Sequence, residues 1–297
     1  EVANFDVHTE SFQLAYGRRL SRGIVITRLT ASLEGVDRRY GPSRILFPNA
    51  PVEFAGGEES DRRRTVALEL QLWNPSYVEL LDVDRMDRPE DFDLGTTFRL
   101  KAGFAPRAFG STVDEGFGRA ELQTGTRRDL GFGWVRAAVE SRLRPDPMDL
   151  LSFGEARWYV IAGRHTLVLD GSMNAGAYAT RPFQILAGGL NGLRAFPTQA
   201  LAGRQILRFN VEERWLFTPV AWDLVHAATA VFTDGARAWG PGAAGSTWFH
   251  DAGVGLRLGF PQIGLAQVVR LDLAWPLQPT VSGSRGAVLS IGSSQAF

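Results

Sequence analysis

Cysteine is absent from all 297 residues, which excludes disulfide staples, thiolate metal centres and cysteine nucleophiles. Histidine is scarce as well: His8, His165, His226 and His250 lie far apart and show no metal-ligand spacing. Neither sign of charge is in excess, with 32 basic and 32 acidic residues, so nothing in the balance points to nucleic acid as a partner. No apolar run approaches the roughly 18 to 20 residues that a membrane helix needs. A membrane is not thereby excluded, because a spanning strand needs only about 9 to 11 residues, apolar at alternate positions. A Gly-x-Ser-x-Gly elbow, a phosphate loop and an HExxH helix are also missing. The expectation is a protein that is not an enzyme and takes no cofactor or metal. Asp82, Asp84, Asp87, Glu90 and Asp91 fit no calcium loop and read as a solvated loop. His250-Asp251 beside Trp248 reads as a polar pair near a membrane interface. Glu1 opens no signal peptide, so the chain reads as a mature protein or as one without its true start.

What the sequence does have is alternation. Phe92, Leu94, Phe98, Leu100 and Phe104 alternate with Asp93, Gly95, Arg99, Lys101 and Gly103, and this two-residue period predicts one strand over 92–104. Val66, Leu68, Leu70 and Leu72 alternate with Ala67, Glu69 and Gln71. Leu207, Phe209, Val211 and Trp215 alternate with Arg208, Asn210, Glu212 and Arg214, and Val269, Leu271, Leu273 and Trp275 with Arg270, Asp272 and Ala274. Further strands are expected at 12–20, 23–34, 116–125, 131–143, 150–161, 166–175, 223–239, 248–260 and 287–297, about 13 in all. Turn-rich or charged connections are expected at 35–64, 144–148, 240–246 and 279–286.

The 33 glycines suit tight turns and strand bends rather than helices. Several strands exceed the usual five or six residues of soluble sheets. Trp73, Phe104, Trp215, Phe217, Trp239 and Trp275 stand at strand ends, and the last residue is Phe297. A soluble sandwich alternates in the same way, with its apolar face packed inward. Strand length and terminal aromatic residues favour a transmembrane antiparallel β-barrel, whose apolar face meets lipid. The expected domain organisation is a single barrel over 1–297.

Gly188-Gly189-Leu190-Asn191-Gly192-Leu193-Arg194-Ala195-Phe196-Pro197 resembles the signature loop of the Bam-type superfamily of outer-membrane insertases and translocases. That loop carries a Gly-Gly pair and a Val/Leu-Arg-Gly-Phe/Tyr tip folded into the barrel lumen; here Ala195 stands where the family has glycine. The resemblance continues in order to the C-terminus. Asn210-Val211-Glu212-Glu213-Arg214 is similar to an Asn-x-Glu-x-Arg strand, and Phe232-Thr233-Asp234-Gly235 to a Phe-x-Asp-x-Gly strand. Asp251–Arg257 resembles a glycine-bearing hairpin and Val269–Pro276 the strand after it. Ser290-Ile291-Gly292 leading to Phe297 resembles the C-terminal assembly signal, with Gln295 a departure from it. Less specifically, 88–95 resembles a strand opening of secretion-type relatives.

The resemblance implies an all-β barrel of about 16 strands, with a lumen loop at about 178–203 in which Gly188, Gly189, Leu193 and Phe196 shape the tip. It implies that Arg194 pairs with Glu212 and Asp234 as a latch, and that 287–297, with Gly292 and Phe297, is the seam strand and signal. About eight strands precede Gly188 where the family has about 11. A chain missing its first strands is therefore expected, and no POTRA modules are present in it. The implied setting is the outer membrane of a Gram-negative envelope. Lipid, lipopolysaccharide and client polypeptides or other envelope proteins are the implied partners. Insertion or movement of polypeptides by lateral strand templating is the implied function. A structural subunit anchoring an envelope complex and a passive porin remain the alternatives.

Overall fold

The computed structural model describes residues 3–21, 23–45, 60–86, 88–178, 185–189, 192–217, 224–240, 243, 247–260, 265–280 and 283–293. Its strands are β1 (Ala3–Arg19), β2 (Ile26–Ile45), β3 (Ser60–Asn74), β4 (Tyr77–Leu81), β5 (Pro89–Asp93), β6 (Thr96–Ala105), β7 (Glu115–Arg128), β8 (Gly131–Arg144) and β9 (Asp146–Ala162). They continue with β10 (His165–Ala177), β11 (Ile185–Ala187), β12 (Leu201–Gly203), β13 (Gln205–Leu216), β14 (His226–Trp239), β15 (Trp248–Phe260), β16 (Leu265–Pro276) and β17 (Val288–Ser293). Among the described residues, the only helical element is the short turn Arg107–Phe109.

Thirteen strands form one sheet in the order β1-β2-β3-β6-β7-β8-β9-β10-β13-β14-β15-β16-β17, and every neighbouring pair is antiparallel. β4 pairs with β5, and β11 with β12, as two small hairpins inserted into connections of this sheet. Among the described residues no ladder joins β1 to β17, so these two strands are the edges.

Three expectations about strand limits need correction. The predicted strand over 92–104 is two strands, β5 and β6, broken at Leu94-Gly95. Asp93 accepts the backbone N–H groups of Ser76 and Gly95 through Oδ1 (3.0 and 2.9 Å) and the Trp73 indole through Oδ2 (2.8 Å). A side chain at Gly95 would run into the Asn74 carbonyl. This local hydrogen bonding competes with the ladder and ends it. The expected connection at 35–64 is shorter, since β2 runs on to Ile45 and β3 starts at Ser60, with Asp37 facing Arg62 and binding Arg64. Asp37 and Arg64 are thus a cross-strand pair rather than loop charges. The same holds at 144–148, where the ladder of β8 and β9 closes at Arg144 and Asp146.

The alternation sorts side chains onto two different faces. Leu14, Val66, Leu68, Leu100, Val231 and Ile291 lie on one face and are exposed. The other carries charge, paired across the strands: Lys101 to Glu34 (2.5 Å), Arg99 to Glu121 (3.1 Å), Arg119 to Glu140 (2.8 Å) and Arg157 to Asp170 (2.9 Å). Burial is thus inverted relative to a soluble sandwich, whose apolar face is the packed one.

The connection between β3 and β6 shows that the sheet curls. Leu94 accepts the Gly125 N–H of β7 and joins Val83, Phe132 of β8, Tyr159 of β9 and Val168 of β10 in one buried cluster. Met86 packs with Ala228 of β14 and Val268 of β16 and lies against Gly259 of β15. Flat, β7 to β16 would spread over about 34 Å at ~4.8 Å per strand. One short insertion can touch them all only if the charged face is concave around it. Asp84 and Glu90, expected in a solvated loop, are held instead. Glu90 accepts the N–H groups of Val83, Asp84 and Arg85 (3.0, 2.9 and 3.1 Å), and Asp84 accepts the Tyr159 hydroxyl (2.8 Å). Asp87 lies outside the described residues. Truncating Leu94 to alanine should lower the unfolding free energy by roughly 2–4 kcal/mol, read as a lower urea midpoint at an unchanged slope.

Candidate functional site

The connection between β10 and β13 folds back over the concave face, and glycine makes that possible. Gly188, Gly189 and Gly192 have φ values of 126°, 63° and 102°, a region that L side chains rarely adopt. A β-carbon on Gly188 would meet Pro197 and Ala200, and one on Gly189 would meet Thr198, so the pair is also the contact surface for the returning chain. The β11–β12 hairpin closes the base of this loop. Leu193, Ala195 and Phe196 at its tip and Leu201 at its base are buried against Ile206 of β13, Phe232, Ala236 and Ala238 of β14 and Ala274 of β16. Phe196 meets Phe249 edge-to-face at 5.7 Å. Ala195 does not have a positive φ, which explains why alanine is tolerated where the resemblance has glycine.

That apolar collar seats Arg194, 3% exposed, in the middle of four strands. Its Nε and Nη2 donate to Asp234 at 2.8 Å each, a two-pronged pair, and Nη1 donates to Glu212 at 2.6 Å. The guanidinium plane also lies over the Phe232 ring, 3.3 Å from its centre. Glu212 is fully buried and takes two more arginines: Arg214 at 2.8 Å and Arg257 at 3.0 Å. Asp272 pairs with Arg257 (2.5 Å) and Arg270 (3.3 Å) and approaches Arg194 at 3.5 Å. Asp251 accepts the Ala195 N–H at 2.9 Å, and Asn210 bridges Asp234 (2.8 Å) to the Gly192 carbonyl (3.3 Å).

The cluster therefore holds Arg194, Arg214, Arg257 and Arg270 against Glu212, Asp234, Asp251 and Asp272, all buried. Fixed planar donors matched to carboxylates hold position and direction. These contacts tie the loop to β13, β14, β15 and β16.

The structure brings Gly188, Gly189, Leu193, Arg194, Phe196, Glu212 and Asp234 together. Gly292 stands at the margin of the cluster, on edge strand β17 opposite Arg270, where a β-carbon would press on the Arg270 guanidinium. Phe297 lies outside the described residues, as do Leu190 and Asn191. Sequence reasoning set Asn210 and Arg214 on the polar face of their strand without naming them as partners of the latch, and missed Arg257, Arg270, Asp251 and Asp272. The signal was in the strand phase: Asp251, Gly253, Gly255 and Arg257 share one face, as do Arg270 and Asp272, and register sets both faces over Asp234 and Glu212. Asp251 also corrects the reading of His250-Asp251 as one polar pair. The aspartate is buried inside, while His250 points outward and stacks on Trp248 at 5.8 Å beside Phe209.

No protein-family model matches the chain, and no curated protein matches it.

Replacing Glu212 by glutamine should destabilise more than replacing Asp272 by asparagine, because Glu212 holds Arg194, Arg214 and Arg257 all within 3.0 Å, whereas two of the three arginines near Asp272 stand at 3.3 and 3.5 Å. Removing one partner of an enclosed pair costs about 3–5 kcal/mol. Arg194→Ala should fall in that range, and Arg194→Lys should recover less than half, because an ammonium cannot fork onto Asp234. Urea titration followed by tryptophan fluorescence checks all four variants.

Proposed function

We propose that this chain is an outer-membrane β-barrel of the insertase/translocase type, in which the Arg194 loop is latched to the barrel wall and the β1 and β17 edges template client strands. The observation that carries the membrane reading is the inverted sheet, apolar where it is exposed and charged where it is enclosed. Transfer to lipid would bury Leu14, Val66, Leu68, Leu100, Val231 and Ile291, and water would remain on the concave side. A sheet edge inside lipid cannot leave its backbone groups unpaired, so two edges facing each other would close on one another or on a third strand.

The β17 edge is suited to opening. Among the described residues its ladder with β16 runs from Val288↔Ala274 to Ser293↔Val269, whereas β1 pairs along almost its whole length with β2. Gly292 removes a packing side chain from the same strand. A client strand adding to such an edge would gain main-chain hydrogen bonds without any covalent step. The signature-loop resemblance and the latch geometry agree with this reading. Two insertions occupying the concave face disfavour a passive pore. The scaffold alternative uses the same interlocked interior to hold partners rather than to cycle.

The test uses the natural absence of cysteine. Single cysteines placed along β1 and β17 are paired combinatorially, and the protein is oxidised in outer-membrane vesicles. One register should crosslink, and crosslinking should abolish assembly of an added barrel client, with recovery on reduction. Assembly that continues in a fully crosslinked sample contradicts strand templating. Fixed-ratio co-purification with envelope proteins and no client assembly at all would favour the scaffold.

A further inference from the structure

The concave face is entered from both ends. Strands alternate in direction, so the β3–β6 connection leaves the sheet at one end and the β10–β13 connection at the other. The two insertions meet at one arginine. Arg214 of β13 donates through Nη1 to the Val83 carbonyl (3.0 Å) and to Asp84 (3.3 Å), both in the first insertion. Through Nε it donates to Glu212 (2.8 Å), whose other oxygen takes Arg194 of the second. Tyr159 fixes the far oxygen of Asp84 at 2.8 Å, and Glu90 gathers three amides of the Val83–Arg85 turn.

We propose that the β4–β5 insertion is a second plug and that its Asp84, acting through Arg214 and Glu212, is a positioning residue for the Arg194 latch. Arg214 is 5% exposed and Glu212 is fully buried, so each guanidinium that leaves Glu212 changes the field felt by the others. With the insertion seated, Arg214 is held on both sides and Glu212 keeps the orientation that receives Arg194. With the insertion withdrawn, Arg214 loses its carbonyl and carboxylate partners and turns toward the space left open, drawing on Glu212. A ligand or partner that pulls the hairpin out at one end thereby loosens the loop at the other. The outer face of β4, with Tyr77 58% and Leu81 53% exposed, offers the handle for such a partner.

The inference rests on the latch described under the proposed function, but its test needs no insertion assay. Asn74 and Thr96 are cross-strand partners at the end of the β3–β6 ladder, so 75–95 can be replaced by Asn-Gly, a two-residue turn suited to a hairpin. The reporter is Ala202→Cys in β12, buried at 4% exposure at the base of the Arg194 loop and the sole thiol in the protein. Its maleimide labelling rate in folded, detergent-solubilised protein measures loop opening. Excision should accelerate labelling at least about tenfold, Asp84→Ala should give a smaller rise in the same direction, and Glu79→Gln on the exposed hairpin surface should give none. Arg214→Met should match the excision, and serves in its place if the excised chain does not fold. Unchanged labelling in both Asp84→Ala and Arg214→Met, with the folded band intact on unheated gels, overturns the coupling. It would leave the Arg194 latch and the membrane reading untouched.

Discussion

Glu212 has no contact with solvent and receives three guanidinium groups, from the loop, from its own strand and from β15. An enclosed carboxylate is tolerated only where cations and donors stand at contact distance, and the desolvation cost of each ion is several kcal/mol. Much of the molecule follows from meeting that demand. β13, β14, β15 and β16 must keep one register so that Asn210 faces Asp234, Asp234 faces Asp251, and Gly255 faces Asp272. The loop must reverse at Gly188-Gly189 to bring Arg194 within reach. A one-residue slip in any of these strands would send its charged set to the apolar face. Ion pairing here specifies arrangement more than it adds stability.

The strand content was legible because one face of nearly every strand is apolar and the other charged. Val66 to Leu72 shows the two-residue period without interruption, Leu207 to Trp215 shows it but for Glu213, and both are strands. The break at Leu94-Gly95 was not legible, because periodicity continues through it. The cause is the Asp93 side chain competing for local amides, which only the fold reveals. The Arg194–Glu212–Asp234 grouping followed from the resemblance and agreed with the phase of β13. Arg257 and Asp272 were hidden for a different reason. Their partners lie on other strands, and single-strand phase cannot show which charged positions share a level across a sheet.

The insertion after β3 was the least legible part. Its acids suggested solvation, yet Glu90 binds a turn of backbone amides and Asp84 is clasped by Tyr159 and Arg214. Local composition counts charges but not the surface that will cover them. Here the covering surface is the concave side of strands β7 to β16, far away in the chain. The same curvature that encloses the acids leaves the apolar set outside. An enclosed polar interior and an exposed apolar exterior are therefore one consequence of one curl, and it is on this pair of faces that the proposed membrane setting rests.

The most direct measurement is a spin-label scan along Val66 to Trp73 in the protein reconstituted into bilayers, reading accessibility to oxygen and to a water-soluble nickel reagent. Labels at Val66, Leu68, Leu70 and Leu72 should be reached by oxygen and shielded from nickel, while Ala67, Glu69 and Gln71 show the reverse. Nickel access at the first four positions would contradict the account, because the exposed apolar face would then meet water.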